Sequence, residues 1–211
     1  MKRRHPIEEL IEEGEHQRLD FKFEVSDSKK IARTLSAFAN TDGGRLLIGV
    51  KDNGAISGVR SDEEYYMIEA ASKMYTRPEV PFTANSWDVN GKRVLEVYIA
   101  PSDERPHAAP DKDDRYRAYI RVADENILAN DVITLAWTKR RRGEGTLLKI
   151  SRPVETLLSW LDEHPYIGIR QFCRIAHINY HTARNILSDL MAMDTIGYVV
   201  VDKHIAYRRL P

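Results

Sequence analysis

The chain has 211 residues, with 32 Lys+Arg against 32 Asp+Glu and an apolar share of 42%. That length suits one large domain or two small ones with a real core, and the apolar share excludes wholesale disorder. Zero net charge hides an asymmetry: residues 139–211 hold twelve Lys/Arg and seven Asp/Glu, a net of +5, which leaves −5 on residues 1–138.

The start, Lys2-Arg3-Arg4-His5, is basic, but Glu8-Glu9 and Glu12-Glu13 follow it where a secretory signal needs an apolar stretch. Leu19-Asp20-Phe21-Lys22-Phe23 alternates at period two, as a half-buried strand with Phe21 inward and its neighbours solvated does. Ile31, Leu35 and Phe38 recur at helical spacing, with Asp27 or Ser28 as the cap and Asp42-Gly43-Gly44 as the stop. Leu46-Leu47-Ile48-Gly49-Val50 is apolar on both faces and reads as a central strand. Asp52-Asn53-Gly54 predicts a tight turn into Ala55-Ile56, and Ser61 to Tyr75 a helix. Asn90-Gly91 joins a strand around Trp87 to one around Leu95, Val97 and Ile99. After a Pro-punctuated loop, Tyr119 to Val122 reads as a strand and Ile127 to Trp137 as a helix. Strands mixed with helices and two hairpins make this region α+β.

Lys139-Arg140-Arg141-Arg142 followed by Gly143-Glu144-Gly145 reads as a flexible basic linker suited to phosphate contact. Beyond it, Pro153 opens a helix with Leu157, Leu158 and Leu161 inward. A short helix around Phe172 and a turn at His177-Ile178-Asn179 follow. The next helix has Ala183, Leu187 and Leu190 on its inner face, and two strands, Ile196 to Val201 and Ile205 to Arg208, close the chain. Three helices and a hairpin are the layout of a winged helix-turn-helix. On that layout the third helix places Tyr180, His181, Arg184, Asn185 and Ser188 outward toward bases, and Lys203 sits on the wing. The expected division is an α+β domain over 1–138, a basic linker over 139–151 and a winged helix over 152–211. Cys173 is the only cysteine, which forbids an internal disulfide and fits a reducing cytoplasm. With no Cys-x-x-Cys or His-Glu-x-x-His, the common zinc sites are absent, and the longest apolar run, Ile196 to Val201, is far below the roughly 20 residues of a membrane helix.

Three blocks carry a family resemblance: Glu15-His16-Gln17-Arg18-Leu19-Asp20-Phe21-Lys22, then Ser36 through Val50 (SAFANTDGGRLLIGV), then Lys51 through Gly58 (KDNGAISG). Together they resemble the Schlafen-type AlbA domain, once called a divergent AAA ATPase domain, over about residues 10–130. Arg105-Pro106-His107 and Tyr119-Ile120-Arg121-Val122 lie where that family has later landmarks. The resemblance implies an α+β nucleic-acid-binding domain, in bacteria often fused to a winged helix and described as a transcriptional regulator. The ATP label has no support: Gly44-x4-Gly49 lacks the following Lys-Ser/Thr and lies inside an apolar strand. By resemblance to the family's eukaryotic ribonucleases, Glu15, Asp20 and Asp52 match three cleavage-site carboxylates that would hold Mg²⁺ or Mn²⁺, with Lys22 beside them. Asp20 stands where the family has Glu. Ala123-Asp124-Glu125-Asn126 replaces the family's Gly-Ser-Ser-Asn, so that two carboxylates would cap a helix there and repel a phosphate.

The reading that follows is a cytoplasmic DNA-binding regulator. Duplex DNA is its expected partner, with RNA second, and its AlbA-like domain supplies backbone binding, homodimer formation or both. The alternatives are a Mg²⁺- or Mn²⁺-dependent ribonuclease and a winged-helix protein-interaction adaptor.

Overall fold

The computed structural model describes residues 5–142 and 151–211. The basic start over 1–4 and the 143–150 part of the expected linker lie outside the described residues. The architecture is α+β, in two compact units that divide between Leu128 and Ala129.

In the first unit, α1 (Pro6–Glu13) opens on a reciprocal cap: the His5 ring accepts from the Ile7 amide and the Glu8 carboxylate from the His5 amide. A four-stranded sheet follows in the order β1-β2-β4-β3. β1 (Leu19–Lys22) runs parallel to β2 (Gly44–Ile48), and β4 (Lys92–Ile99) pairs antiparallel with both β2 and β3 (Thr83–Val89). The β3–β4 hairpin turns on Asn90 and Gly91, with φ of 54° and 80°, the left-handed pair that a two-residue hairpin loop demands. One sheet face packs Leu19, Phe21, Leu47 and Val94 against Ile7 of α1.

The other face packs on α2 (Ser28–Asn40), which Asp27 caps by accepting from the Lys29 and Lys30 amides. Apolar Ile31, Leu35 and Phe38 face the core at the expected spacing, yet polar Thr34, Ser36 and Asn40 are buried as well. The reason is a second sheet, β5 (Ala108–Pro110), β6 (Tyr116–Val122) and β7 (Glu125–Leu128), which packs on α2 together with α3 (Glu63–Tyr75). Asn40 joins these layers. Its amide nitrogen donates to the carbonyls of His107 and Tyr119, both at 2.8 Å, and its oxygen accepts from the His107 amide at 2.8 Å. Ser36, one turn earlier, also donates to the His107 carbonyl.

The helix expected from Ile127 begins at Asp131, because Glu125–Leu128 pairs with β6 after a turn at Ala123 with φ of 53°. Asp124 and Glu125 therefore cap no helix; Asn130 caps the one that follows, accepting from the Ile133 amide at 3.1 Å. Asp20, expected on a solvated face, is buried, since β1 is covered on both of its faces.

The second unit holds α4 (Asp131–Arg142), α5 (Arg152–Glu163), α6 (Ile169–Ala176), α7 (Tyr180–Ala192) and the hairpin of β8 (Ile196–Val201) and β9 (His204–Arg209). Pro153 lies in the first turn of α5, His177 ends α6 in the left-handed region with φ of 52°, and the Asn179 side chain caps α7 by accepting from the Thr182 amide. Val154, Leu157, Phe172, Ala183, Leu187, Leu190 and Tyr207 form the interior. Lys139 to Arg142, expected in a linker, form the last turn of α4, where cations suit the negative end of the helix dipole.

Asn40→Ala removes the side-chain partner of the His107 amide and the Tyr119 carbonyl and leaves the His107 carbonyl to Ser36 alone. Each of the first two costs about 1–3 kcal/mol to leave unpaired, so urea unfolding should register a loss of about 2 kcal/mol or more. A loss below about 1 kcal/mol would show that these layers do not depend on Asn40.

Candidate functional site

The first candidate is the carboxylate group at the start of the first unit. Glu15 reaches back over β1 and accepts from the Phe21 amide at 2.8 Å. Asp20, on the opposite side of the strand from Phe21, has its carboxylate 3.1 Å from a guanidinium nitrogen of Arg121 and 2.8 Å from the Lys22 ammonium. Arg121 is the largest fully buried side chain, 1% exposed. It also donates to the carbonyls of His16 and Leu19 and to Asn126, and it lies over the Phe38 ring. Burial pushes the Glu15 carboxyl above its ordinary 4.5, and its hydrogen bond and repulsion with Asp20 push the same way, against the Phe21 amide and Lys22.

Glu15, Asp20 and Lys22 are thus brought together; Asp52 is not. Asp52 is exposed in a turn closed by Gly54 donating to the Lys51 carbonyl and Lys51 to the Ala55 carbonyl. Among the described residues, no group of three His, Cys, Asp or Glu is placed to hold a metal ion. The donor set does not fit Mg²⁺ or Mn²⁺: two carboxylates already face two cations, and one of those cations is buried against them.

The second candidate is α7. Of the stripe Tyr180, Arg184 and Ser188, expected to face outward, Tyr180 is exposed, Arg184 half-buried and Ser188 buried, and all three make contacts to α4. The Tyr180 hydroxyl donates to Asp131 at 2.7 Å, and Arg184 sits 3.7 Å from the same carboxylate. Withdrawal from water and that bond push the Tyr180 hydroxyl up to about 12, so it remains a donor at neutral pH. Ser188 is buried and accepts from Lys139 at 2.8 Å, and Lys139 also pairs with Asp189. Arg140 bonds the Met191 carbonyl and Asp194. His181 is exposed, with Asn185 half-buried beside it, and Lys203 stands at the hairpin tip. Arg141 and Arg142 are exposed and have no carboxylate partner among the described residues.

Arg121 was legible only as a family landmark, because burial of a charge has no local signature. Asp131 and Lys139 flank a helix whose period says nothing of its distant partner, 50 residues on.

The sequence profile of the Schlafen, AlbA_2 family matches residues 15–130. That is more than half of the chain, and the chain belongs to this family. Two solved structures are similar. One is the DIP2311 protein from Corynebacterium diphtheriae, with 21% identity and a TM-score of 0.45 over 70% of this chain and 30% of that one. The other is the N-terminal domain of a RecG-related protein from Nitrosomonas europaea, with 22% identity and a TM-score of 0.38 over 61% of this chain and 92% of that one. The chain therefore spans less than a third of the DIP2311 protein's length. Among curated proteins, none matches the chain. No helix among the described residues is long and apolar enough to cross a membrane.

Opposite outcomes are expected for the two carboxylates. Asp20→Ala leaves Arg121 buried without its counter-charge and should cost about 3–5 kcal/mol. For Glu15 the folded state holds its proton more tightly than the unfolded chain, so its contribution is favourable below 4.5 and is lost as pH rises through the raised value. Glu15→Gln keeps an acceptor for Phe21 without the charge. Its urea midpoint should exceed that of the wild type at pH 7.5, with the gain shrinking toward pH 4.5; an equal or reversed difference across that range contradicts the assignment.

Proposed function

We propose that this protein binds nucleic acid through its phosphates, as a DNA-binding regulator, and does not cleave it. The observation that carries the reading is how the cations of the second unit are sorted. Those between α4 and α7, namely Lys139, Arg140 and Arg184, are each matched to a carboxylate, and so is Arg209 on β9. Arg141 and Arg142 at the end of α4, Arg170 and Arg174 one turn apart on α6, and Arg208 on β9 are exposed without one among the described residues. Exposed unpaired arginines on a folded unit release counterions when they meet a polyanion, and that release drives non-specific affinity. Family membership supports the same partner class.

On this reading α5, α6, α7 and the β8–β9 hairpin work as a winged helix-turn-helix on duplex DNA. His181 stands at the start of the third helix and Lys203 on the wing. Because α4 engages Tyr180, Arg184 and Ser188 of α7, backbone contact outweighs base readout. Cleavage is left out because Asp20, one of the carboxylates that would hold a catalytic cation, is already paired with Arg121 and Lys22.

Fluorescence anisotropy with labelled duplex DNA between 50 and 200 mM salt tests the binding. Arg141→Ala with Arg142→Ala should weaken affinity equally for unrelated sequences and flatten the log–log salt slope by about 0.9 for each phosphate no longer neutralised. An unchanged slope would remove these arginines from the interface. Wild-type protein should leave tRNA intact in Mg²⁺ and in Mn²⁺, and metal-dependent cleavage abolished by Asp52→Asn would overturn the non-cleaving reading.

A further inference from the structure

Several cations of the first unit are paired with carboxylates: Lys29 with Asp114, Arg45 with Glu96, Lys73 with Glu69, Arg93 with Asp62 and Arg117 with Asp111. At one place two unpaired cations flank an exposed aromatic ring. Phe23, just past the end of β1, is a large apolar ring left 40% exposed. The Lys51 ammonium lies 5.5 Å from its centroid and the Arg60 guanidinium 5.9 Å. Both cations are exposed, and neither has a carboxylate partner among the described residues. Glu24 and Asp52, beside them in sequence, form no ion pair with either.

The three residues come from separate segments that the backbone ties together. The amides of Gly49 and Val50 donate to the Lys22 carbonyl, and those of Ser57 and Gly58 donate to the Gly49 carbonyl. Gly49 has a φ of 89°, and a Cβ there would lie 2.8 Å from the Gly58 carbonyl carbon, so only glycine lets the returning loop close on the strand end. That closure sets Lys51 and Arg60 within reach of the same ring before any ligand arrives.

We infer that Phe23, Lys51 and Arg60 form a contact for single-stranded nucleic acid, in which an unpaired base stacks on the Phe23 ring while the two cations take the flanking phosphates. An exposed aromatic with unpaired cations around it matches the two repeating groups of a single strand, a flat π surface and an anion. A duplex keeps its bases stacked on one another and has no free face to offer. The inference rests on the nucleic-acid reading above and adds a second contact, in the family domain, with its own strand preference.

The test uses the full chain and three labelled probes: a 12-residue oligo(U) RNA, the matching oligo(dT) and a 20-base-pair duplex. Phe23→Ala should weaken both single strands about tenfold and leave the duplex unchanged, while Phe23→Trp should retain wild-type affinity. Lys51→Ala with Arg60→Ala should lower the single-strand salt slope by about 0.7 for each phosphate no longer neutralised. Circular dichroism should show all variants folded, since each changed side chain is exposed. Wild-type binding with Phe23→Ala indistinguishable from it, or with equal losses on duplex and single strands, overturns this contact while leaving the proposed function standing. If the wild type binds none of the probes, the proposed function fails and the contact fails with it.

Discussion

A guanidinium withdrawn from water sets the terms for the first unit. Arg121 has lost its hydration, and a buried cation is tolerable only with a counter-charge and hydrogen-bond acceptors. Asp20, two carbonyls at the start of β1 and Asn126 supply them. The strand that carries Arg121 is thereby joined to the strand that carries Asp20, and the two sheets cannot part without stranding a charge. The same interaction decides the chemistry. A carboxylate committed to a buried arginine is a structural anion, and burial together with Asp20 holds the neighbouring Glu15 carboxyl above its ordinary range.

Asn40 does with neutral groups what Arg121 does with charged ones. A helix packed between two sheets has few routes for satisfying the irregular backbone that runs beside it. One carboxamide at its C-terminal end takes the His107 amide and two carbonyls together. Polar residues on a buried helix are costly unless every atom is matched, and Ser36 and Asn40 are matched by the loop leading into β5.

In the second unit the deciding feature is which cations are already used. α4 lies along α7 with charged contacts at both ends, Asp131 near Tyr180 and Arg184, and Lys139 and Arg140 near Asp189 and Asp194. These contacts engage Tyr180, Arg184 and Ser188 and leave His181 exposed. What remains available for a polyanion is the set of arginines that stay outside that contact.

Local pattern was enough for much of this. The period of Ile31, Leu35 and Phe38, the caps at Asp27 and Asn179, the Asn90-Gly91 turn and the inner face of α7 all depend on residues within a few positions of one another, and sequence alone determined them. The family was legible for the same reason, its landmarks being contiguous blocks. Misreadings arose where a distant partner overrides a local preference. Glu125–Leu128 became a strand because β6 lies beside it. Lys139–Arg142 became helix because the chain continues in register from Trp137 and its first two charges find partners on and just after α7. Asp20 was buried by an arginine 101 residues away. Ser188 was buried by a lysine 49 residues before it. Whether a charge is spent inside the fold or left for a ligand depends on long-range pairing, and a one-dimensional pattern holds no record of that.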